Sequence, residues 1–231
     1  MPYFYGFDIS SIVYLLPAMI FAMWAQYNVK STFAKYSKAA SYRGMTGYDA
    51  ARLILDANGL HHVRIEAVAG DLTDHFDPKA NVIRLSQSVH SVPTAAAVGV
   101  AAHEAGHAVQ YAVGYFPIRL RAAIISVTNI GSTLSWPLIL LGIALSWQPV
   151  AMFGVILFSL SVVFQLITLP VEFNASRRAV AALGDYGMDG ENLRAAKNVL
   201  RAAAMTYVAA LATAIANLLR LISIVNRNDR R

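Results

Sequence analysis

Residues 103–107 read His103-Glu104-Ala105-Gly106-His107, near the C-terminal end of an apolar helical run from Pro93 to Tyr111. On an α-helix, positions four apart differ by only ~40° in direction, so both imidazoles leave one face a turn apart. Ring nitrogens so placed reach a single zinc ion at ~2.0–2.1 Å. Glu104 projects to the side, where a carboxylate accepts a proton from an activated water. Gly106 lacks a side chain, so neighbouring backbone or a metal shell can come close. The surrounding Val98, Val100, Ala101, Ala102, Ala105, Ala108 and Val109 argue against an ordinary solvated helix face. Ionisable groups buried without a partner are costly, and a divalent cation is the simplest partner. The stretch reads as a site for one zinc ion, with His103 and His107 as ligands and Glu104 as general base.

The wider composition places that helix in a membrane protein. Of 231 residues, 57% are hydrophobic and 14% charged, where a soluble domain carries about 25% charged residues. There is no cysteine, which excludes disulfides, thiolate zinc sites and thiol nucleophiles. The formal charge is +6, but the cations sit beside apolar runs, at Lys30/Lys35/Lys38, Arg119/Arg121, Arg177/Arg178 and Arg220/Arg227/Arg230/Arg231. That placement suits a lipid bilayer with anionic headgroups and argues against nucleic acid.

Ile9 to Tyr27 is apolar, uncharged after Asp8, and about the ~20 residues a bilayer crossing takes. It does not read as a cleaved leader, because no Lys or Arg precedes it, Pro17 interrupts it and a basic stretch follows. The N-terminus is then expected outside and residue 30 onward inside. Ala50 to Asp56 reads as a short amphipathic helix ended by Asn58-Gly59. Val63–Val68, Leu72–Phe76 and Asn81–Leu85 read as strands, with turns at Gly70-Asp71 and Asp77-Pro78. Ser91-Val92-Pro93-Thr94 supplies the start of the zinc helix. Residues 122–145 and 150–169 are two further spans, joined by the uncharged hairpin Ser146-Trp147-Gln148-Pro149. Trp136 and Trp147 suit the outer interface. Ala202 to Leu219 is either a fourth span or a helix packed on the catalytic domain.

The expected fold class is α+β integral membrane: a mostly helical multi-pass chain with a small antiparallel sheet ahead of the zinc helix. Its parts are an N-terminal transmembrane helix (1–29), a cytoplasmic sheet and zinc helix (30–121), a transmembrane hairpin (122–169), and a third-ligand helix with the Ala-rich C-terminal helix (170–231). Together they make one composite catalytic domain.

A catalytic zinc takes three protein ligands and keeps a position open. Upstream candidates are His61, His62, His75 and His90; downstream ones are Glu172, Asp185, Asp189 and Glu191. Glu172 is preferred, since it follows Pro170-Val171, where a helix can start, and Arg177 and Arg178 a turn away would favour its charged form. An interfacial ion pair is the alternative role for that carboxylate. Arg177, Arg178, His75 and Tyr207 are candidate substrate or oxyanion contacts. Arg177 and Arg178 serve equally well as headgroup anchors, and His75 as an ordinary strand histidine. Leu72 to Phe76 is either an edge strand that pairs with an extended substrate or an interior hairpin strand.

The order of strands, Ala-Ala-His103-Glu104-Ala-Gly-His107-Ala, two spans, and Glu172-Phe-Asn-Ala-Ser resembles the gluzincin membrane peptidases, which include the HtpX heat-shock protease and the CAAX prenyl endopeptidase. Asp74-His75-Phe76-Asp77-Pro78, Val82-Ile83-Arg84-Leu85-Ser86, His103 to Gln110 and Leu169-Pro170-Val171-Glu172-Phe173 resemble more closely the YugP-type membrane zinc metallopeptidases of bacteria. The likeness runs through nearly the whole chain. It implies His103, His107 and Glu172 as zinc ligands and Glu104 as general base of a bacterial membrane peptidase. A substrate among membrane or membrane-proximal proteins is expected, and by the charge rule the site faces the cytoplasm of a bacterial plasma membrane. The HtpX pattern has an acidic residue four after the ligating Glu, where this chain has Ser176; the histidine-orienting carboxylate is then expected elsewhere, at Asp185 or Asp74.

Three other readings compete. A site-2-type intramembrane protease would draw its third ligand from an Asp-Gly pair, and Asp189-Gly190 is present but in a polar stretch. An FtsH-type protease shares His-Glu-Ala-Gly-His but needs an ATPase module, and no phosphate loop occurs here. A non-catalytic zinc-binding scaffold would fill all four metal positions with protein. Substrate identity and oligomeric state have no signature in the sequence.

Overall fold

The computed structural model describes residues 9–228; Asp8, Arg230 and Arg231 lie outside the described residues. In chain order the elements are α1 (Ile9–Tyr36), α2 (Gly47–Ala57), β1 (Arg64–Val68), β2 (His75–Asp77), β3 (Val82–Ser86), α3 (Gln87–His90), α4 (Ala95–Ala112), α5 (Phe116–Ala144), α6 (Gln148–Asp185) and α7 (Gly190–Asn228).

Four of the helices, α1, α5, α6 and α7, are long and apolar enough to cross a bilayer. Their most apolar windows are only 11–28% buried inside the fold, and they turn Met19, Trp24, Ile130, Leu140, Phe153 and Leu166 outward. Water does not tolerate apolar surface on that scale, whereas lipid requires it. The protein is a membrane protein. The Ala202–Leu219 run lies within α7, whose length and composition suffice for a fourth crossing.

Contacts divide the chain into two compact units, to which all four long helices contribute. One takes residues 1–25, 120–169 and 206–231. Its α5 and α6 pack through small residues, Gly142 against Ala151 and Gly154 against Ile139. Ile139, Ala151, Val155, Leu221 and Val225 form its core. The hairpin between α5 and α6 closes with the Trp147 N–H donating to the Gly142 carbonyl at 2.8 Å.

The other unit takes residues 26–119 and 170–205 and holds the sheet, α2 and α4. Helix α2 starts on a reciprocal cap: the Thr46 hydroxyl accepts from the Asp49 N–H at 3.2 Å, and the Asp49 carboxylate from the Thr46 N–H at 2.9 Å. Ala50, Ala51, Ile54 and Leu55 bury its inner face against α4. Thr94 caps α4, its hydroxyl accepting from the Ala97 N–H at 3.3 Å. Alanine and glycine make up most of the buried surface of α4, so neighbouring helices approach its backbone closely.

The sheet corrects the antiparallel expectation. Its strand order is β1-β3-β2, with β2 antiparallel to β3 but β1 parallel to β3. The β2–β3 hairpin returns with β3 in the middle, so β1 and β3 run the same way, and β2 becomes an edge strand. A mixed sheet results because the pairing of β1 is non-local and leaves no mark in local alternation. Strand β2 is also shorter than the Leu72–Phe76 reading, because Leu72 adopts a positive φ of 57° in the preceding turn. A second correction concerns Pro170. No helix begins there; α6 runs unbroken from Gln148 to Asp185 with Pro170 inside it. The missing proline N–H removes one rung of the ladder without ending the helix.

Gly106 and Gly99 show how tightly α4 is held. A Cβ at Gly106 would stand 2.7 Å from the Ala175 carbonyl oxygen of α6, and one at Gly99 3.2 Å from the Ala196 Cα of α7. Gly106→Ala is therefore expected to lower unfolding free energy in detergent by about 1–3 kcal/mol, because backbone must move. Gly184→Ala, whose added carbon would meet only the Leu193 Cδ2 at 3.8 Å, is expected to be neutral or slightly stabilising. Thermal unfolding of the two variants side by side checks the contrast.

Candidate metal centre

Helix α4 sets His103 and His107 on one face, and the Gly106–Ala175 approach brings α6 against that face, with Glu172 one turn before Ala175. Donor atoms of His103, His107 and Glu172 all lie within 4.8 Å of one another. The Glu172 Oε2 is 3.3 Å from His103 Nε2 and 3.5 Å from His107 Nε2. Donors at ~2.0–2.1 Å from a tetrahedral ion are separated by ~3.3–3.4 Å, so these spacings match. Glu172 is 2% exposed, and a carboxylate that deep needs a compensating cation.

The remaining ring nitrogens are already engaged. His107 Nδ1 lies 3.0 Å from the Gln110 side-chain oxygen, and His103 Nδ1 3.2 Å from the Ser176 hydroxyl. An amide oxygen only accepts, so His107 carries its proton on Nδ1, and in the neutral ring Nε2 presents a lone pair. That lone pair faces a carboxylate oxygen. Two electron-rich atoms at that separation are repulsive unless a positive charge lies between them. Burial alone lowers the His107 pKa, yet the Glu172 hydrogen bond and the Glu104 and Glu172 charges hold it above the ordinary value, so positive charge is favoured here. Two imidazoles and one carboxylate form a donor set suited to zinc.

Glu104 is buried on α4, and among the described residues its carboxylate enters no hydrogen bond or ion pair. Its charge is felt by Asp74, whose carboxyl is raised by burial first and further by Glu104, against opposing hydrogen bonds from Ser86. Asp74 accepts from the Ser86 N–H at 2.7 Å and orients no imidazole. Asp185 is exposed at the end of α6. The oriented histidines thus take Gln110 and Ser176 as partners, in place of the expected acid. Ser176, the apparent departure at that position, is itself the partner of His103. Gln110 went unread as a functional residue, although it is the first strongly polar side chain after the motif and sits three residues beyond His107, within reach on a helix.

Other sequence candidates lie elsewhere. His75 is exposed on β2 and bonds through Nδ1 to the Thr73 carbonyl at 2.8 Å. Arg177 is exposed; Arg178 is half-buried and donates through Nε to Asn174 at 2.8 Å. Tyr207 is half-buried on α7 and belongs to the first unit described. His61 pairs with Asp56, His90 with Ser91, and His62, Asp189 and Glu191 are exposed. Among the described residues the metal-ligating group has three members, none of them Asp189, which removes the Asp-Gly ligand of the site-2 reading.

Residues 11–226 match the family described as "Putative neutral zinc metallopeptidase". The chain belongs to that family. It is 46% identical over 210 residues to the "Putative membrane protease YugP" of Bacillus subtilis (strain 168), spanning 90% of this chain and 93% of that protein. No solved structure matches. A zinc metallopeptidase family and a two-imidazole cluster around the buried Glu172 carboxylate point to the same metal.

The purified protein is expected to hold about one zinc per chain, with three protein ligands and an open position. His103→Ala and Glu172→Gln are each expected to abolish stoichiometric zinc. Elemental analysis after dialysis against a weak chelator checks this, and full retention by both variants would remove the assignment.

Proposed function

We propose that this chain is a zinc-dependent endopeptidase of the gluzincin type, which cuts membrane or membrane-proximal proteins. The reading is carried by one observation: Glu172 and two histidines with anchored Nδ1 atoms converge, beside Glu104, whose carboxylate enters no hydrogen bond or ion pair among the described residues. His103, His107 and Glu172 would hold the metal. Bound there, zinc supplies Lewis acidity toward a water and the scissile carbonyl.

The chain's own residues do the remaining work. Glu104 takes the proton from the attacking water and delivers it to the departing amine. Its lack of a protein partner suits that exchange, since a carboxylate committed to an ion pair would be a weaker acceptor. Strand β2 has β3 on one side only, and Phe76 packs on Tyr111 of α4 with ring centroids 5.7 Å apart. An extended substrate pairing with the open side of β2 would therefore run beside α4. Arg177 and His75, both exposed in the same unit as the site, stay as candidate donors for the tetrahedral oxyanion. Lys30, Lys35, Lys38, Arg119 and Arg121, which flank the apolar runs, support a site on the cytoplasmic side of the bacterial plasma membrane.

Glu104→Gln separates binding from chemistry. It is expected to keep zinc while lowering cleavage by about 10²–10⁴-fold, the usual weight of a general base. Proteomic comparison of membranes bearing wild type or Glu104→Gln should show a few proteins accumulating uncut in the variant. Identical membranes would favour a zinc-binding scaffold, and undiminished proteolysis by purified Glu104→Gln would overturn the role of the carboxylate.

A further inference from the structure

The Gln110 side chain is wholly buried, and all its polar atoms are used. Its Nε2 donates to the Val171 carbonyl at 2.8 Å and to Asn174 Oδ1 at 3.0 Å, while its oxygen lies 3.0 Å from His107 Nδ1. Asn174 Oδ1 accepts a second bond, from Arg178 Nε at 2.8 Å. Orientation of a side-chain amide is ambiguous by shape alone, but here both ends of the network are unambiguous. A guanidinium has no acceptor, so Arg178 obliges Asn174 to present its oxygen. A backbone carbonyl has no donor, so Val171 and Asn174 together oblige Gln110 to present its NH₂ to them. Only the Gln110 oxygen is left for His107, and it can only accept.

We propose that Gln110 is a positioning residue for the metal centre, locked by Val171, Asn174 and Arg178 so that it holds His107 with the proton on Nδ1 and Nε2 free to ligate. This rests on the zinc-site reading above and extends it to residues that touch neither metal nor substrate. The direction of the chain matters. A half-buried cation on α6 sets an amide, that amide sets a second one on α4, and the second sets the tautomer of a ligand. His103 is held less strictly, because the Ser176 hydroxyl can either donate or accept. The two ligands are thus oriented with different stringency, and the network on His107 should matter more.

The test uses the full-length protein in detergent, with zinc itself as the probe, measured by chelator competition. Gln110→Met keeps the volume and removes both the acceptor and the donors. Its zinc affinity is expected to fall about 10–100-fold, the usual weight of an outer partner on a metal-bound histidine, with Ser176→Ala falling less. Arg178→Met, at a half-buried position that should fold readily, is expected to weaken zinc by a smaller factor than Gln110→Met. Nitrogen-15 histidine spectra of the zinc-loaded protein supply a readout that a merely structural role would not move. The wild type should show a protonated Nδ1 on both ligands, and the His107 signal should broaden or shift in Gln110→Met and Arg178→Met. Wild-type zinc binding with unchanged affinity and an unchanged His107 signal in both variants would overturn the role of Gln110 alone. Failure of the wild type to bind zinc would overturn the metal site and this inference together.

Discussion

Two imidazoles and a buried carboxylate converge on one point that favours positive charge, and much of this chain's local design serves that meeting. Histidines four apart on a helix share a face by periodicity alone, but Glu172 reaches them only because α6 comes within backbone distance of α4 at Gly106 and Ala175. A methyl group at Gly106 would hold the helices apart. The glycine inside the motif is therefore a packing requirement, and the alanine-rich remainder of α4 extends the same close approach to α2 and α7.

Local periodicity made parts of this arrangement legible. The shared face of His103 and His107, a helix start within Ser91–Thr94 and the apolar runs of the long helices all follow from spacings within a few residues. Glu172 was reachable because it follows an apolar run at Pro170-Val171 and has Arg177 and Arg178 a turn away to favour its charged form. Non-local features were not legible. The parallel pairing of β1 with β3 depends on where a hairpin returns, and neither strand records it. Pro170 was read as a helix start because proline favours first turns, yet within a long apolar helix it is carried as an interior residue. Ser176 stands where the resemblance leads one to expect an acid, and its hydroxyl meets His103 Nδ1 in that acid's place.

That substitution has a chemical consequence. Outer carboxylates on metal-bound histidines raise the basicity of the ring. Here both partners, an amide and a hydroxyl, are neutral. The only formal negative charge among the three proposed ligands is that of Glu172. Imidazoles oriented by neutral acceptors withdraw less of a cation's charge than imidazoles backed by acids, which leaves more of it for polarising whatever lies in the open position.

The same economy of charge explains why the buried acids near the site are kept apart in role. Asp74 loses solvation on burial, and the nearby Glu104 charge raises the cost of ionising it further. Asp74 is compensated by the Ser86 N–H and hydroxyl, which tie the start of β2 to the end of β3. Among the described residues the Glu104 carboxylate enters no hydrogen bond or ion pair, though its charge favours a positive His107. Fully satisfying Glu104 with donors would stabilise its charge but also blunt it as a proton acceptor, and replacing it with an apolar residue would leave no acceptor at all. Glu104 thus stays an open acceptor one residue from a proposed ligand, where its charge and that of Glu172 both favour a positive charge at His107.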